Sequence, residues 1–287
     1  MAEAVTLVET PRDAFQGLTK LIPTGEKVRY IRALLDAGFK HLDVGSFVSP
    51  KAVPQMADTR AVVEAVRGNK AVEYIALVAN ERGVERAIEC GGLDALGFPF
   101  SFSHEFQLRN THHSLSEVWR VVERLQARIE SADLSFLAYL SMAFGSPYGE
   151  PWDESALLAF LTSLSRTGIR HVALSDTIGC ARPEQVRQVF RRARIELPEL
   201  ELSAHFHGRS GDWHFNVLAA LEAGCRRFDG AAGGLGGCPF AQDRLVANVP
   251  SEGLVQHFEE RGFATGIDPA KLAACANLAR EFQATYA

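Results

Sequence analysis

Hydrophobic and polar positions repeat in one order along the chain. Four segments each show a helical spacing of apolar residues, then a glycine, then a short run rich in β-branched and apolar residues. The glycines are Gly38, Gly91, Gly168 and Gly224, each standing where a helix should end in a left-handed cap. A strand that repeatedly follows a helix within a few residues is typical of βαβ units and predicts a parallel sheet.

The same patterning predicts a complete set of strands and helices. Eight strands are predicted at residues 5–9, 40–44, 73–78, 94–98, 134–140, 171–175, 201–206 and 226–229. Helices are predicted around 56–66, 114–130, 154–166, 183–193 and 212–222, with an extra terminal helix at 270–284. Eight strand–helix units in 287 residues predict a TIM (β/α)8 barrel with an extra C-terminal helix. A doubly wound sheet is the alternative, which the lack of G-x-G-x-x-G after the first strand disfavours.

Composition narrows the class of protein. The chain is 47% hydrophobic and 23% charged, and no composition break or low-complexity linker divides it, so we expect one globular domain over residues 1–287. A net charge of -5 and the lack of basic runs argue against nucleic-acid and membrane partners. The first residues lack a secretion signal and the five cysteines show no paired spacing, so we expect reduced thiols and a cytoplasmic location.

Polar side chains collect at the predicted carboxyl ends of the strands, where TIM barrels place their catalytic groups. Any one of them could be an ordinary polar residue at a strand end, but together they predict an active site there. They are Arg12, Asp13, Asp43, Asp176, His205, His207 and Asp229.

The sequence SAHFHGRS favours a metal site. His205 and His207 are two residues apart on a predicted strand, so both rings should face the same side. Two histidines hydrogen-bonded inside a strand end are the alternative. Asp13 follows strand one, which closes the barrel beside strand eight, and its carboxylate would complete a site for Mn²⁺, Zn²⁺ or Mg²⁺.

Two further residues have side chains suited to catalysis. Arg12 precedes Asp13, and on an extended backbone the two would point to opposite sides, one to the metal and the other to a developing negative charge such as an enolate oxygen. An ordinary ion pair is the alternative. Cys238 ends a glycine-rich loop that could be a tight connection, a phosphate cradle or a mobile lid, and its thiol could serve in acid–base catalysis. An inert buried thiol is the other interpretation.

Five motifs together resemble the 3-hydroxy-3-methylglutaryl-CoA lyase family of metal-dependent carbon–carbon lyases. In chain order they are PRDAFQG, GSFVSPKAVPQM, LSDTIG, AHFH and GGLGGCPFAQ, and they cover residues 5 to 265 in the order of the family. The resemblance implies that Asp13, His205 and His207 bind the metal. Asn248 would be a fourth ligand, if the cysteine loop is one residue longer here. Mg²⁺ or Mn²⁺ is then preferred, with Zn²⁺ as the alternative.

The resemblance also implies catalytic roles. Arg12 would stabilise the enolate of acetyl-CoA, Cys238 would be the proton-donating thiol, and Asp176 would lie near the acyl portion of the substrate. Asp43 stands where well-known members have a glutamate, so its reach towards Arg12 is shorter, and Gly208 stands where they have an aspartate. These departures leave the reaction type in place and concern the identity of the substrate.

The resulting hypothesis is retro-aldol cleavage of a 3-hydroxy-3-methylglutaryl-CoA-like 3-hydroxyacyl-CoA, releasing acetyl-CoA and a keto acid. Asp13 or His205 would be the general base. The alternatives are a related barrel condensing enzyme, a lyase for a different 3-hydroxyacyl-CoA, a metal hydrolase, or a binding protein without catalysis. We expect an acyl-CoA as the substrate and a homo-oligomer, either a dimer or a tetramer.

Overall fold

A computed structural model of the chain describes residues 3–111, 113–208, 212–236 and 246–287. Its centre is a sheet of eight parallel strands: β1 (Thr6–Glu9), β2 (His41–Ser46), β3 (Glu73–Leu77), β4 (Ala95–Ser101), β5 (Ser135–Ser141), β6 (His171–Asp176), β7 (Glu201–Gly208) and β8 (Arg227–Gly230). Each strand pairs in parallel with the next, and β8 pairs with β1, so the sheet closes into a barrel. The predicted TIM barrel and its eight strands are confirmed.

Helices surround the barrel. They are α1 (Pro11–Gln16), α2 (Thr24–Ala37), α3 (Thr59–Val66), α4 (Glu81–Cys90), α5 (His104–Thr111), α6 (Leu115–Glu130), α7 (Glu154–Arg166), α8 (Pro183–Glu196), α9 (Trp213–Glu222), α10 (Ser251–Glu259) and α11 (Pro269–Tyr286). The predicted extra terminal helix is α11, whose Phe282 packs against Phe15 and Tyr30. Within the described ranges, no helix is both long and apolar enough to cross a bilayer.

The glycines that end the helices adopt positive φ angles. These are 107° at Gly38, 65° at Gly91, 94° at Gly168 and 98° at Gly224. Gly38 is a left-handed cap, and a Cβ there would lie 2.7 Å from the carbonyl oxygen of Gly266, so only glycine fits. The left-handed cap predicted at Gly91 is wrong, because a ψ of 167° places it outside the left-handed helical region and sends the chain directly into an extended connection.

Apolar side chains fill the middle of the barrel and separate its two ends. This inner cluster is Val8, Ile75, Leu77, Ala95, Leu137, Tyr139 and Ala173. A larger apolar cluster lies between the sheet and the helices.

A ninth strand stands outside the parallel barrel. It is β9 (Ala247–Asn248), which pairs antiparallel with the end of β7 and aligns Asn248 with His207. This pairing brings the chain back to the carboxyl end of the barrel just before α10.

Candidate active site

The two histidines of β7 lie side by side near the carboxyl end of the barrel. His205 and His207 are both buried, and their ring centroids are 5.0 Å apart. His205 Nδ1 lies 3.0 Å from Asp229 Oδ2, and His207 Nδ1 lies 3.2 Å from the carbonyl oxygen of Asp176. Because ionised carboxylates and carbonyls only accept hydrogen bonds, each Nδ1 must carry the proton. In a neutral ring, this leaves the lone pair of Nε2 free to bind a metal.

Asp13 brings a carboxylate to the same point. Its Oδ2 lies 3.8 Å from His207 Nε2, and one ligand atom from each of Asp13, His205 and His207 lies within 4.8 Å of the others. Burial raises the pKa of Asp13, but His207 and Arg12 outweigh it and hold that pKa well below its usual range.

The chemistry of these three residues fits a divalent cation. Among the described residues, His207 Nε2 has no hydrogen-bond partner although it is buried. An orphaned buried nitrogen is costly unless a ligand completes it. Two imidazole nitrogens and one carboxylate oxygen leave further coordination positions open for a substrate.

Asn248 lies beside this group because β9 pairs with β7. Its Nδ2 donates hydrogen bonds of 3.0 Å to Asp13 Oδ2 and to the carbonyl oxygen of Leu235. The side-chain amide therefore contacts one of the three residues directly. Only the amide oxygen could bind a metal ion, and rotating the amide by half a turn would place that oxygen, instead of the nitrogen, on the side of Asp13.

Arg12 lies on α1 and contacts Asp13, contrary to the prediction of an extended backbone with diverging side chains. Its Nη1 lies 3.0 Å from Asp13 Oδ1. Pro11 occupies the first turn of α1, where its fixed φ favours a helix. Consecutive helical side chains are only about 100° apart, so a long arginine reaches its neighbour.

Asp43 and Tyr139 fix the other side of the Arg12 guanidinium. Nε and Nη2 of Arg12 donate to Asp43 Oδ2 at 3.0 and 2.6 Å, and Tyr139 donates to the same oxygen at 3.0 Å. The guanidinium carbon lies 5.4 Å from the centroid of the Tyr139 ring. Burial lowers the pKa of Arg12, but Asp43 and Asp13 outweigh it and raise that pKa, so the side chain stays charged.

One cavity of about 300 Å³ contains this chemistry. Arg12, Asp13, His205 and His207 line it at the barrel end, together with Tyr139. A metal ion with open coordination positions can polarise a bound oxygen, and the fixed guanidinium of Arg12 can stabilise negative charge a short distance away.

The sequence agrees with one protein family over most of its length. A family model described as HMGL-like matches residues 4–279, a range that includes all the barrel strands and both the α1 and β7 parts of the site. The chain belongs to the HMGL-like family.

Bacterial relatives are similar to this chain over almost the whole length of both proteins. The hydroxymethylglutaryl-CoA lyase YngG of Bacillus subtilis is 34% identical, covering 96% of this chain and 92% of the relative. The 3-hydroxy-3-isohexenylglutaryl-CoA/hydroxymethylglutaryl-CoA lyase of Pseudomonas aeruginosa is also 34% identical, covering 93% and 89%. A crystal structure of an HMG-CoA lyase from Acinetobacter baumannii in complex with coenzyme A and 3-methylmalate is 33% identical, with a TM-score of 0.90 over 98% of this chain and 90% of that one.

Asp176, which the family resemblance placed near the substrate, does not line the cavity. The carboxylate of Asp176 accepts the backbone N–H groups of Cys180 and Ala181 at 2.9 and 3.0 Å, so it holds the loop after β6, while its neighbours Ser175 and Thr177 line the cavity. Cys238 lies outside the described residues, so its role as a proton donor stays a prediction.

The sequence assigned no role to two buried residues near the site, Tyr139 and Glu9, and placed Asp229 at the active-site end without identifying its partner. Tyr139 was the hardest to identify, because it lies 96 residues from its partner Asp43. The only indication in the sequence is a hydroxyl group at an inward position of a predicted strand. Asp229 stands at the end of β8 and holds His205. Glu9, at the end of β1, accepts the N–H of Ala232 at 2.7 Å and a hydrogen bond from Ser251, and so holds the chain after β8.

Proposed function

We propose that this protein is a divalent-metal-dependent carbon–carbon lyase that cleaves a 3-hydroxy-3-methylglutaryl-CoA-like 3-hydroxyacyl-CoA by retro-aldol chemistry. The products would be acetyl-CoA and a keto acid. The observation that carries the proposal is the convergence of Asp13, His205 and His207 around an orphaned imidazole nitrogen, beside a clamped Arg12. The lyase activities of the relatives and the coenzyme A in a related crystal structure support the same reaction and substrate class.

Asp13, His205 and His207 would hold the metal ion, with Asn248 at its side. When bound, a divalent ion supplies Lewis-acid chemistry that lowers the pKa of a substrate hydroxyl. Mg²⁺ and Mn²⁺ are the ions we propose first, because oxygen ligands from Asp13, the substrate and water would complete the site.

Arg12 would bind the oxygen of the enolate that forms when the carbon–carbon bond breaks. A guanidinium has five N–H groups, and in the described residues three of them point to Asp13 and Asp43. One N–H on each Nη remains for the cavity. Because both carboxylates fix its plane, the donors are already in place before charge develops, which is the condition for large electrostatic catalysis.

Proton transfer would complete the reaction. Asp13 and His205 are the candidates for the base that removes the hydroxyl proton. The depressed pKa of Asp13 keeps its carboxylate ionised. The Nδ1 contact of His205 with Asp229 favours a basic Nε2 in the neutral ring. Cys238 remains the proposed donor to carbon, on the strength of the family resemblance alone.

The test is a turnover assay on metal-loaded protein. Purified protein reconstituted with Mg²⁺ or Mn²⁺ would be mixed with 3-hydroxy-3-methylglutaryl-CoA and related 3-hydroxyacyl-CoAs, with acetyl-CoA measured over time. We expect acetyl-CoA from at least one of them, and none after chelation of the metal. Release of free coenzyme A without acetyl-CoA would indicate a thioester hydrolase and contradict the proposal.

A further inference from the structure

The active-site cavity has two chemically different parts. One is the charged cluster around Arg12. The other we name the apolar chamber: Leu77, Phe98, Phe106, Val118 and Val121. The two parts are connected, because Leu77 packs in the same cluster as Tyr139, whose ring lies against the Arg12 guanidinium.

The apolar chamber is a buried part of the cavity lining. Leu77 ends β3, Phe98 lies on β4, Phe106 lies on α5, and Val118 begins the inner face of α6. These four side chains are at most 8% exposed. Ala52 and His113 also line the cavity but are exposed, so they mark its mouth.

The uncharged polar residues and the apolar residues of the lining favour different parts of an acyl-CoA. Side chains with hydrogen-bonding groups, Asn80, Asn110, Thr111 and His113, suit the amide-containing arm of coenzyme A. None of the five chamber side chains has a hydrogen-bonding group. An amide or phosphate placed there would lose its bonds to water without replacement, whereas a hydrocarbon would gain free energy by leaving water.

We propose that the substrate carries a hydrocarbon branch longer than methyl on its hydroxyl-bearing carbon, and that the apolar chamber binds this branch. The proposal rests on the lyase function proposed above and names its substrate class. The bond that breaks is unchanged: the electron pair goes to the acetyl-CoA enolate, which takes up a proton. The hydroxyl carbon becomes the ketone of a keto acid that keeps the branch, so no further reactant is needed.

A series of substrates tests the branch. Metal-loaded protein would be assayed with 3-hydroxyglutaryl-CoA thioesters bearing methyl, propyl or pentyl at the third carbon. We expect kcat/KM to rise about fourfold for each methylene that the chamber buries.

Substitutions test whether the chamber is responsible. Val121 lines the cavity and is only half-buried, so Val121→Trp should narrow the chamber and reverse the preference for long branches. Val121→Asn should weaken the preference without filling the space. Leu108→Trp is the matched control, because Leu108 lies on the neighbouring α5, is 42% exposed and does not line the cavity; it should keep the parental ratio of pentyl to methyl.

The possible outcomes separate the two proposals. Cleavage that favours long branches in the parent but not in Val121→Trp supports the chamber. Cleavage of the methyl substrate with equal or lower kcat/KM for longer branches overturns this inference and leaves the lyase function standing. A preference for long branches that both Val121 variants retain also overturns it. If no member of the series yields acetyl-CoA, the lyase function and this inference both fail.

Discussion

The two ends of the barrel both bury charged side chains, but they use them differently. At the amino-terminal end of the strands, Glu73 Oε2 lies 2.6 Å from Arg227 Nη2 and 2.7 Å from His41 Nδ1. The register of the sheet creates this contact, because His41 and Glu73 are aligned partners on β2 and β3. The charged groups at this end pair with one another.

At the carboxyl-terminal end, polar atoms remain unsatisfied. Within the described part of the chain, the buried orphans there include His207 Nε2, Asp43 Oδ1 and Asp229 Oδ1, while the opposite cluster leaves only Arg227 Nε. Unsatisfied buried groups cost stability. The comparison indicates that one end of the barrel is organised to stabilise the fold, and the other to bind a ligand at some expense to stability.

The largest expected difference between the ends concerns the metal. We expect His205→Ala and His207→Ala to lose the bound divalent ion, because each removes one of three converging ligand atoms. His41→Ala, at the opposite end, should keep the metal and lower the free energy of unfolding. Metal content after dialysis measures the first effect, and denaturant unfolding measures the second. Parental metal affinity in both β7 variants would place the site elsewhere.

Arginines at the two ends offer the next test. Arg12→Lys should reduce kcat about a hundred- to a thousand-fold, since a lysine cannot keep the planar fork between Asp13 and Asp43 while donating to an enolate. Metal content should stay parental. The matched variant Arg227→Lys should keep kcat and lose stability instead. Near-parental turnover in Arg12→Lys would remove this residue from the mechanism.

Substitution of Glu73 should change the free energy of unfolding and leave activity unchanged. Glu73→Gln leaves Arg227 without its partner, and we expect a loss of about 2 to 3 kcal/mol, less than for a fully buried pair because the Glu73 side chain is 27% exposed. Although burial raises the pKa of Glu73, His41 and Arg227 lower it to about 2. The parent should therefore lose this stability as the pH falls from about 4.5 towards 2, and the variant should not. Urea unfolding at pH 3 and pH 7 compares them.

Glu9 should give a pH dependence of stability with the opposite sign. Burial raises the pKa of Glu9 to about 8, so the folded protein holds a proton there that the unfolded chain releases near pH 4.5. Stability should fall as the pH rises from 4.5 towards 8, by at most about 1.4 kcal/mol per pH unit. Glu9→Gln should remove this decline, and the exposed control Glu3→Gln should retain it. A parental free energy of unfolding that stays constant from pH 5 to 8 would contradict the expectation.

The elements and the position of the site follow from periodic features of the sequence. Because side chains alternate along a strand, His205 and His207 are predicted to share a face. Because the first strand of a closed barrel lies beside the eighth, Asp13 is predicted to come near them. The HMGL-like family is likewise confirmed. The single domain, the homo-oligomer, the cytoplasmic location and the choice of metal stay predictions.

Local backbone and through-space contacts were harder to predict. The six residues of α1 are too few to show a helical period, so the prediction of an extended Arg12 was wrong. The Asp43–Tyr139 contact and the anchoring of Ala232 by Glu9 join residues 96 and 223 positions apart. Nothing in the local sequence of either partner identifies the other; the fold alone brings them together.

The hydrogen bond between Asn248 and Asp13 has a consequence for how the protein folds. It joins residues 235 positions apart, and the bond from the Thr10 hydroxyl to the carbonyl oxygen of Gly230 spans 220 positions. Contacts that close such long loops have a high entropic cost and form late in folding. The candidate metal site should therefore be absent from any intermediate in which β1 and β8 have not yet met. Metal uptake during refolding would then report the moment at which the two ends of the chain come together.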